Sequence, residues 1–96
     1  MRFEVKFVPS ADQDLDSYTV REQRIILSGV AEFLEVDANG ESKRRKQMRP
    51  NPLGPWELKI GDYRVFYEIR ESSVRVLAIS HKVHNELFIR GQKVEI

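Results

Sequence analysis

The chain has no cysteine, which excludes disulfides and thiolate metal sites. It has two histidines, His81 and His84, and no clustered carboxylates beside them, so neither a metal centre nor a cofactor is expected. No apolar run is long enough to span a bilayer, and the N-terminus lacks the apolar segment of a secretory signal. A cytoplasmic protein without a membrane partner is the resulting expectation. Internal repeats are also absent, so the 96 residues should form one domain over positions 1–96, and nothing predicts a homo-oligomer. Charge of one sign is missing too: 16 Lys and Arg against 15 Asp and Glu leave a net charge of +1, so the molecule is not globally basic.

What is present is an ordinary soluble composition, 41% hydrophobic and 32% charged, with its charge unevenly spread. Lys43, Arg44, Arg45, Lys46 and Arg49 crowd one short stretch, while Asp12, Asp14, Asp16, Glu22, Glu32, Glu35 and Asp37 precede it. Such asymmetry suggests a side that faces a polyanion, with a solvated basic loop as the bland alternative.

Alternation over Arg2–Val8 places Phe3, Val5 and Phe7 on one face of a half-buried strand. Ser10 and Gln13 resemble a capping box for a short helix reaching about Tyr18. Thr19 and Glu22 repeat that signature and open a second helix, whose Ile26, Leu27, Val30, Ala31, Phe33 and Leu34 recur at helical spacing as core. Asp37-Ala38-Asn39-Gly40 stops it. A basic, proline-punctuated loop should then run irregularly to Pro55.

Three strands follow, near 56–60, 63–70 and 73–80. Gly61-Asp62 reads as a two-residue turn, with Gly at the first central position of a type II′ turn. That turn pairs Ile60 with Tyr63 and sets Lys59 opposite Arg64. Like charges in this position repel, and an anion such as phosphate would relieve them; alternatively both side chains splay into water. A second tight turn at Glu71-Ser72 should pair Ile69 with Val74, Tyr67 with Val76 and Val65 with Ala78. Trp56, Leu58, Val65, Tyr67, Val74, Val76 and Ala78 then share a core face under the two helices. Glu57, Lys59, Arg64, Phe66, Glu68, Arg75, Leu77 and Ile79 share the other, whose mixture of charge and exposed apolar groups suits a binding surface. The expected fold class is α+β: a small antiparallel sheet, built from the N-terminal strand and the three-strand meander, with a two-helix hairpin on one face. Beyond Ser80, a short helix or turn from about His84, stopped by Gly91, is expected, with Val94-Glu95-Ile96 as a last short strand or a frayed end.

The element order, the segment Trp56-Glu57-Leu58-Lys59-Ile60-Gly61-Asp62-Tyr63-Arg64-Val65-Phe66-Tyr67-Glu68-Ile69 and the closing Val76-Leu77-Ala78-Ile79-Ser80-His81-Lys82 together resemble the RelE/ParE toxin superfamily. The resemblance implies a toxin neutralised by an antitoxin encoded beside it. RelE-type members cut messenger RNA in the ribosome without metal, and ParE-type members poison DNA gyrase. For a RelE-type mRNA interferase, Arg64 and Lys59 match the phosphate-contacting basic positions and Lys82 the residue that stabilises the leaving group. Phe88 stands where many members carry a catalytic tyrosine, whereas His84-Asn85-Glu86-Leu87-Phe88 is similar to the tail of a YafQ-like branch that uses histidine. Glu57 replaces a lysine of the best-known members. His84, then His81, are the proton-shuttle candidates, because histidine titrates near neutrality. Lys43, Arg44, Arg45, Lys46 and Arg49 would grip RNA or an acidic antitoxin tail, and Phe66 and Phe88 would stack on bases. The resulting expectation is a ribosome-dependent endoribonuclease. A gyrase inhibitor or a catalytically decayed binding module are the alternatives.

Overall fold

The computed structural model describes residues 2–96, so Met1, the first position of the expected domain, lies outside the described residues. The elements are β1 (Glu4–Phe7), α1 (Pro9–Asp16), α2 (Val20–Leu34), β2 (Arg45–Gln47), β3 (Trp56–Ile60), β4 (Tyr63–Arg70), β5 (Ser73–Val83), β6 (Glu86–Ile89) and β7 (Gln92–Val94). The fold is α+β, with the two helices packed on a seven-stranded open sheet of order β2-β3-β4-β5-β6-β7, β1 pairing alongside β5.

Alternation makes β1 as expected, but it runs parallel to β5, Val5 opposite Val74. β1 takes only the first third of that edge of β5. β6 pairs antiparallel with its end, from His81 to Val83. The gap between them is closed by α1, whose Asp14 carboxylate accepts a 3.1 Å bond from the Ile79 N–H.

Helix α1 begins earlier than the Ser10–Gln13 pattern suggested. Val8 is its N-cap without a side-chain cap, and Pro9 occupies the first turn. Proline is pre-set for that position, and its missing N–H would have been unpaired there anyway. For α2 the capping box forms as read: Thr19 Oγ1 accepts from Glu22 N at 3.2 Å, and Glu22 Oε1 accepts from Thr19 N at 3.0 Å. Ile26, Val30 and Leu34 lie on one buried line of α2. Leu27 and Ala31, expected in the core, lie one step around the helix and are exposed, because the sheet covers a narrower stripe than the sequence pattern offers.

The basic loop is less irregular than expected. β2 pairs with β3, Lys46 opposite Glu57, before the prolines begin. Past it, Asn51 organises the turn, its Oδ1 accepting from the N–H groups of Leu53 and Gly54.

The Gly61-Asp62 turn places Lys59 opposite Arg64, with Gly61 at a positive φ of 58°. Between β4 and β5 the register departs from expectation. Tyr67 pairs with Val76, but Phe66 pairs with Ala78 and Val65 with Ile79, so Leu77 is an extra residue in β5. A bulge of this kind sends every later side chain to the opposite face. Ile79 joins the core. Ala78 joins Phe66 and Leu87 in a second apolar cluster on the outer face, roofed by Met48, Leu53 and Ile89.

No helix forms after Ser80. β5 continues to Val83 and the chain makes two further tight hairpins. His84-Asn85 turns at positive φ of 51° and 67°, and Arg90-Gly91 at 49° and 78°. Positive φ at both central residues is the type I′ pattern, which suits the twist of paired strands. Val94 ends β7.

Candidate functional site

Lys59 stands on the outer sheet face between core-facing Leu58 and Ile60. Its N–H donates to Arg44 O on β2's side, so Lys59 and Arg64 form the non-hydrogen-bonded kind of cross-strand pair, in which side chains are closest. Arg64 answers the repulsion by folding back. Its Nη1 donates to Gly61 O at 2.8 Å and Tyr63 O at 3.0 Å, while its buried Nε has no partner.

Lys59, but not Arg64, lines a cleft of about 470 Å³ whose walls also include Lys46, Glu57, Lys82, Leu87 and the ion pairs of Lys93 with Glu86 and Glu95. Glu57 is only 6% exposed. Among the described residues it makes no ion pair, and neither do Lys46, Lys59 and Lys82. A nearly buried carboxylate among three lysines is the group that sequence reasoning passed over. The pattern of Glu57 between Trp56 and Leu58 placed it on this face, but only the pairing with Lys46 and the bulge at Leu77 surround it with cations.

The bulge also decides the histidines. Continued alternation would have put His81 on the Lys59–Arg64 face. Instead it lies on the helix side, opposite Tyr63, and Lys82 takes the outer face. His81 Nδ1 is 2.8 Å from the Tyr18 hydroxyl, and its ring stacks on Phe88 at 5.8 Å and 24°. His84 sits exposed in the β5–β6 turn and lines neither this cleft nor the aromatic one described below. The expected meeting of His84 with Arg64 and Lys82 in one pocket therefore does not occur.

The basic run is dispersed. Lys46 reaches the cleft, and Lys43 and Arg49 are exposed. The Arg44 guanidinium lies 4.8 Å from the centre of the Phe33 ring. Arg45, with a side chain 12% exposed, bonds Gly40 O at 2.7 Å and Phe33 O at 3.3 Å and pairs with Asp37 at 3.1 Å, so it closes the end of α2 rather than facing a ligand. Phe66 is fully buried and has no face to offer a base.

On the helix side a second cleft, about 590 Å³, is lined by Tyr18, Glu22, Asp62, Tyr63, His81 and Lys82, among others. Tyr63 donates to Glu22 Oε2 at 3.0 Å. The Thr19 backbone and hydroxyl, then Tyr63, hold the Glu22 carboxyl below its ordinary range. Burial first, then Asp14 and Glu22, pushes the Tyr18 phenol well up, so it stays a hydroxyl. No three His, Asp or Glu side chains converge as a metal site among the described residues.

Comparison with known proteins gives two kinds of match. The sequence pattern of the family described as "ParE toxin of type II toxin-antitoxin system, parDE" matches residues 5–85. None of the curated proteins matches. The fold is similar to a chain of the RelBE2 toxin–antitoxin complex from Mycobacterium tuberculosis, with a TM-score of 0.71 and 22% identity over 85% of this chain and 100% of that one. It is also similar to a chain of the archaeal RelE–RelB complex from Pyrococcus horikoshii OT3, with a TM-score of 0.64 and 20% identity over 82% and 93%.

Proposed function

Because this chain belongs to the ParE toxin family of type II toxin–antitoxin systems, within the RelE/ParE superfamily, we propose that it is a toxin that cuts RNA without metal at the outer-face cleft. The observation that carries this reading is Lys59, set opposite Arg64 across the strands, lining a cleft that also holds Lys82 and the nearly buried Glu57. In the proposed reaction Glu57 accepts the proton of a ribose 2′-OH. That oxygen attacks the adjacent phosphorus, a cyclic phosphate forms, and the bond to the 5′ oxygen breaks. Lys59 and Arg64 offset the charge that develops on the phosphoryl oxygens. One such positioned donor contributes about 3–4 kcal/mol. Lys82 donates a proton to the departing 5′ oxygen, which leaves as a hydroxyl, and Glu57 returns the proton it took to solvent. Ribosome-bound messenger RNA is the proposed substrate, as the resemblance to RelE-type toxins implies, and such a target places the protein in the cytoplasm. Among the described residues no helix is long and apolar enough to cross a membrane.

The proposed protein partner is an antitoxin, since the two similar structures named above are toxin–antitoxin complexes. The open groove of Ile25, Phe33, Ile60, Arg24 and Arg44 between α2 and β3 suits an acidic, apolar segment.

Two observations favour gyrase inhibition instead: the matching family is ParE, and neither histidine lines the cleft of Lys59 and Glu57. Expression without antitoxin separates the two. Growth arrest with newly cut messages is expected, and Arg64→Ala should abolish both. Arrest with DNA breaks and intact messages would establish the gyrase reading.

A further inference from the structure

Lys82 lines two clefts at once: the lysine-rich cleft of the outer face and the aromatic cleft on the helix side. The two share this one lining residue at the end of the sheet, where the Gly61-Asp62 turn meets β5, and Lys82 N–H donates to Asp62 O at 2.8 Å. Their chemistry differs. One side carries cations for a phosphate. The other carries three aromatic rings, with Tyr18 edge-on to Tyr63 at 89° and to His81 at 81°, so that where one ring offers an edge its neighbour offers a face. All three rings are partly exposed.

Attack by a 2′-OH requires the departing 5′ oxygen to lie opposite the attacking oxygen. A stacked RNA strand does not hold that arrangement, so the nucleotide on the 3′ side must swing out of the stack. Its base then needs a place beside the phosphate site, and aromatic side chains are the usual receivers of splayed-out bases. We propose that the Tyr18–Tyr63–His81 cleft receives the unpaired base on the 3′ side of the scissile phosphate, with Asp62 accepting from the exocyclic amino group of that base. This rests on the ribonuclease reading above.

The donors and acceptors narrow the choice of base. Glu22 is already engaged, by Thr19 N and by the Tyr63 hydroxyl. His81 Nδ1 is engaged by Tyr18. The Asp62 side chain is exposed at the rim and has neither a hydrogen bond nor an ion pair among the described residues. A carboxylate only accepts, so it takes the exocyclic N–H of cytosine, adenine or guanine, whereas uracil, whose one donor is the ring N3–H between two carbonyl oxygens that repel a carboxylate, is disfavoured.

The test uses the whole chain and two short RNAs, each with a 2′-deoxy sugar at one position so that it cannot be cut there. One is oligouridylate. The other carries a single cytidine immediately 3′ of that position. NMR titration should move the ring signals of His81 and Tyr18 with the cytidine oligomer, which should bind about tenfold more tightly than oligouridylate, the worth of one charge-assisted hydrogen bond. Asp62→Ala should erase that difference, and the turn-preserving Asp62→Asn, whose amide oxygen still accepts but without charge, should reduce it. Shifts confined to residues around Lys46 and Lys59 would overturn the base site and leave the ribonuclease reading standing. A cytidine preference that survives Asp62→Ala would also overturn the proposal. Failure of either RNA to bind, with messages intact in the growth assay, would overturn both readings.

Discussion

At the scale of single residues, the charged groups differ in what surrounds them. Glu57 is nearly buried without an ion pair, whereas His84 is an exposed turn residue. If Glu57 takes the proton, Glu57→Gln should lower cleavage of ribosome-bound message by about 10²–10⁴-fold. His84→Ala should cut at nearly the wild-type rate. The reverse ranking would return the shuttle to the YafQ-like tail that the sequence suggests. Two other carboxyls act on stability with opposite sign. Burial raises Asp14 above its ordinary range, against the pull of the Ile79 N–H and Arg90. It binds its proton more tightly when folded, so its contribution declines as pH rises from its ordinary value through its raised one. Glu22 is lowered, so its contribution is present above the ordinary carboxyl range and is lost as pH falls through the lowered value. Glu22→Gln should therefore flatten the acid limb of the urea midpoint plotted against pH, and Asp14→Asn should not. Asp14→Ala is a separate case. It strands the Ile79 N–H and should cost about 1–3 kcal/mol.

At the scale of elements, helix α2 is held by local and tertiary features together. The Thr19–Glu22 box was legible because both partners lie within one turn of sequence. Gly29 was not, because its role depends on β3. A Cβ there would lie 2.5 Å from Ile60 Cδ1, and 2.8 and 3.0 Å from Cγ1 and Cγ2. Alanine would gain about 1 kcal/mol of helix propensity. It would lose about 1–3 kcal/mol to overpacking, since branch carbons and not only a flexible tip must move. Gly29→Ala should lower the melting temperature, and adding Ile60→Val should recover part of the loss. A higher melting temperature for the single variant would mean that α2 can lift from β3 without cost. The missed start of α1 and the missed hairpins after Val83 have a shared origin. Pro9 and the turn pairs His84-Asn85 and Arg90-Gly91 work through backbone geometry, and the two turn pairs depart from the Asn-Gly and Asp-Gly pairs that mark type I′ turns in sequence.

At the scale of the whole molecule, one contact ties the C-terminal hairpin to the helical layer. Arg90, in the β6–β7 turn, pairs with the buried Asp14 at 2.9 Å and donates to Gln13 at 2.9 Å. The same Asp14 holds β5 through Ile79. Arg90→Ala should speed hydrogen exchange of the β6 and β7 amides while β3 and β4 stay protected. Uniform acceleration across the sheet would mean that the hairpin is part of one cooperative unit and is not held by this latch.

The sequence by itself determined the α+β class, the capped second helix and the Lys59–Arg64 juxtaposition. Each rests on periodicity or on a turn whose partners lie a few residues apart, so local geometry suffices. Which basic and titratable groups share a face was decided only in three dimensions. A single inserted residue, Leu77, reverses the face of everything after it in β5, moving His81 beneath the helices beside Tyr18 and bringing Lys82 out to the cleft of Lys59 and Glu57. A two-residue side-chain period carries no mark of where an extra residue has been absorbed, because the bulge is chosen by how β4 and β5 pack against the rest of the sheet.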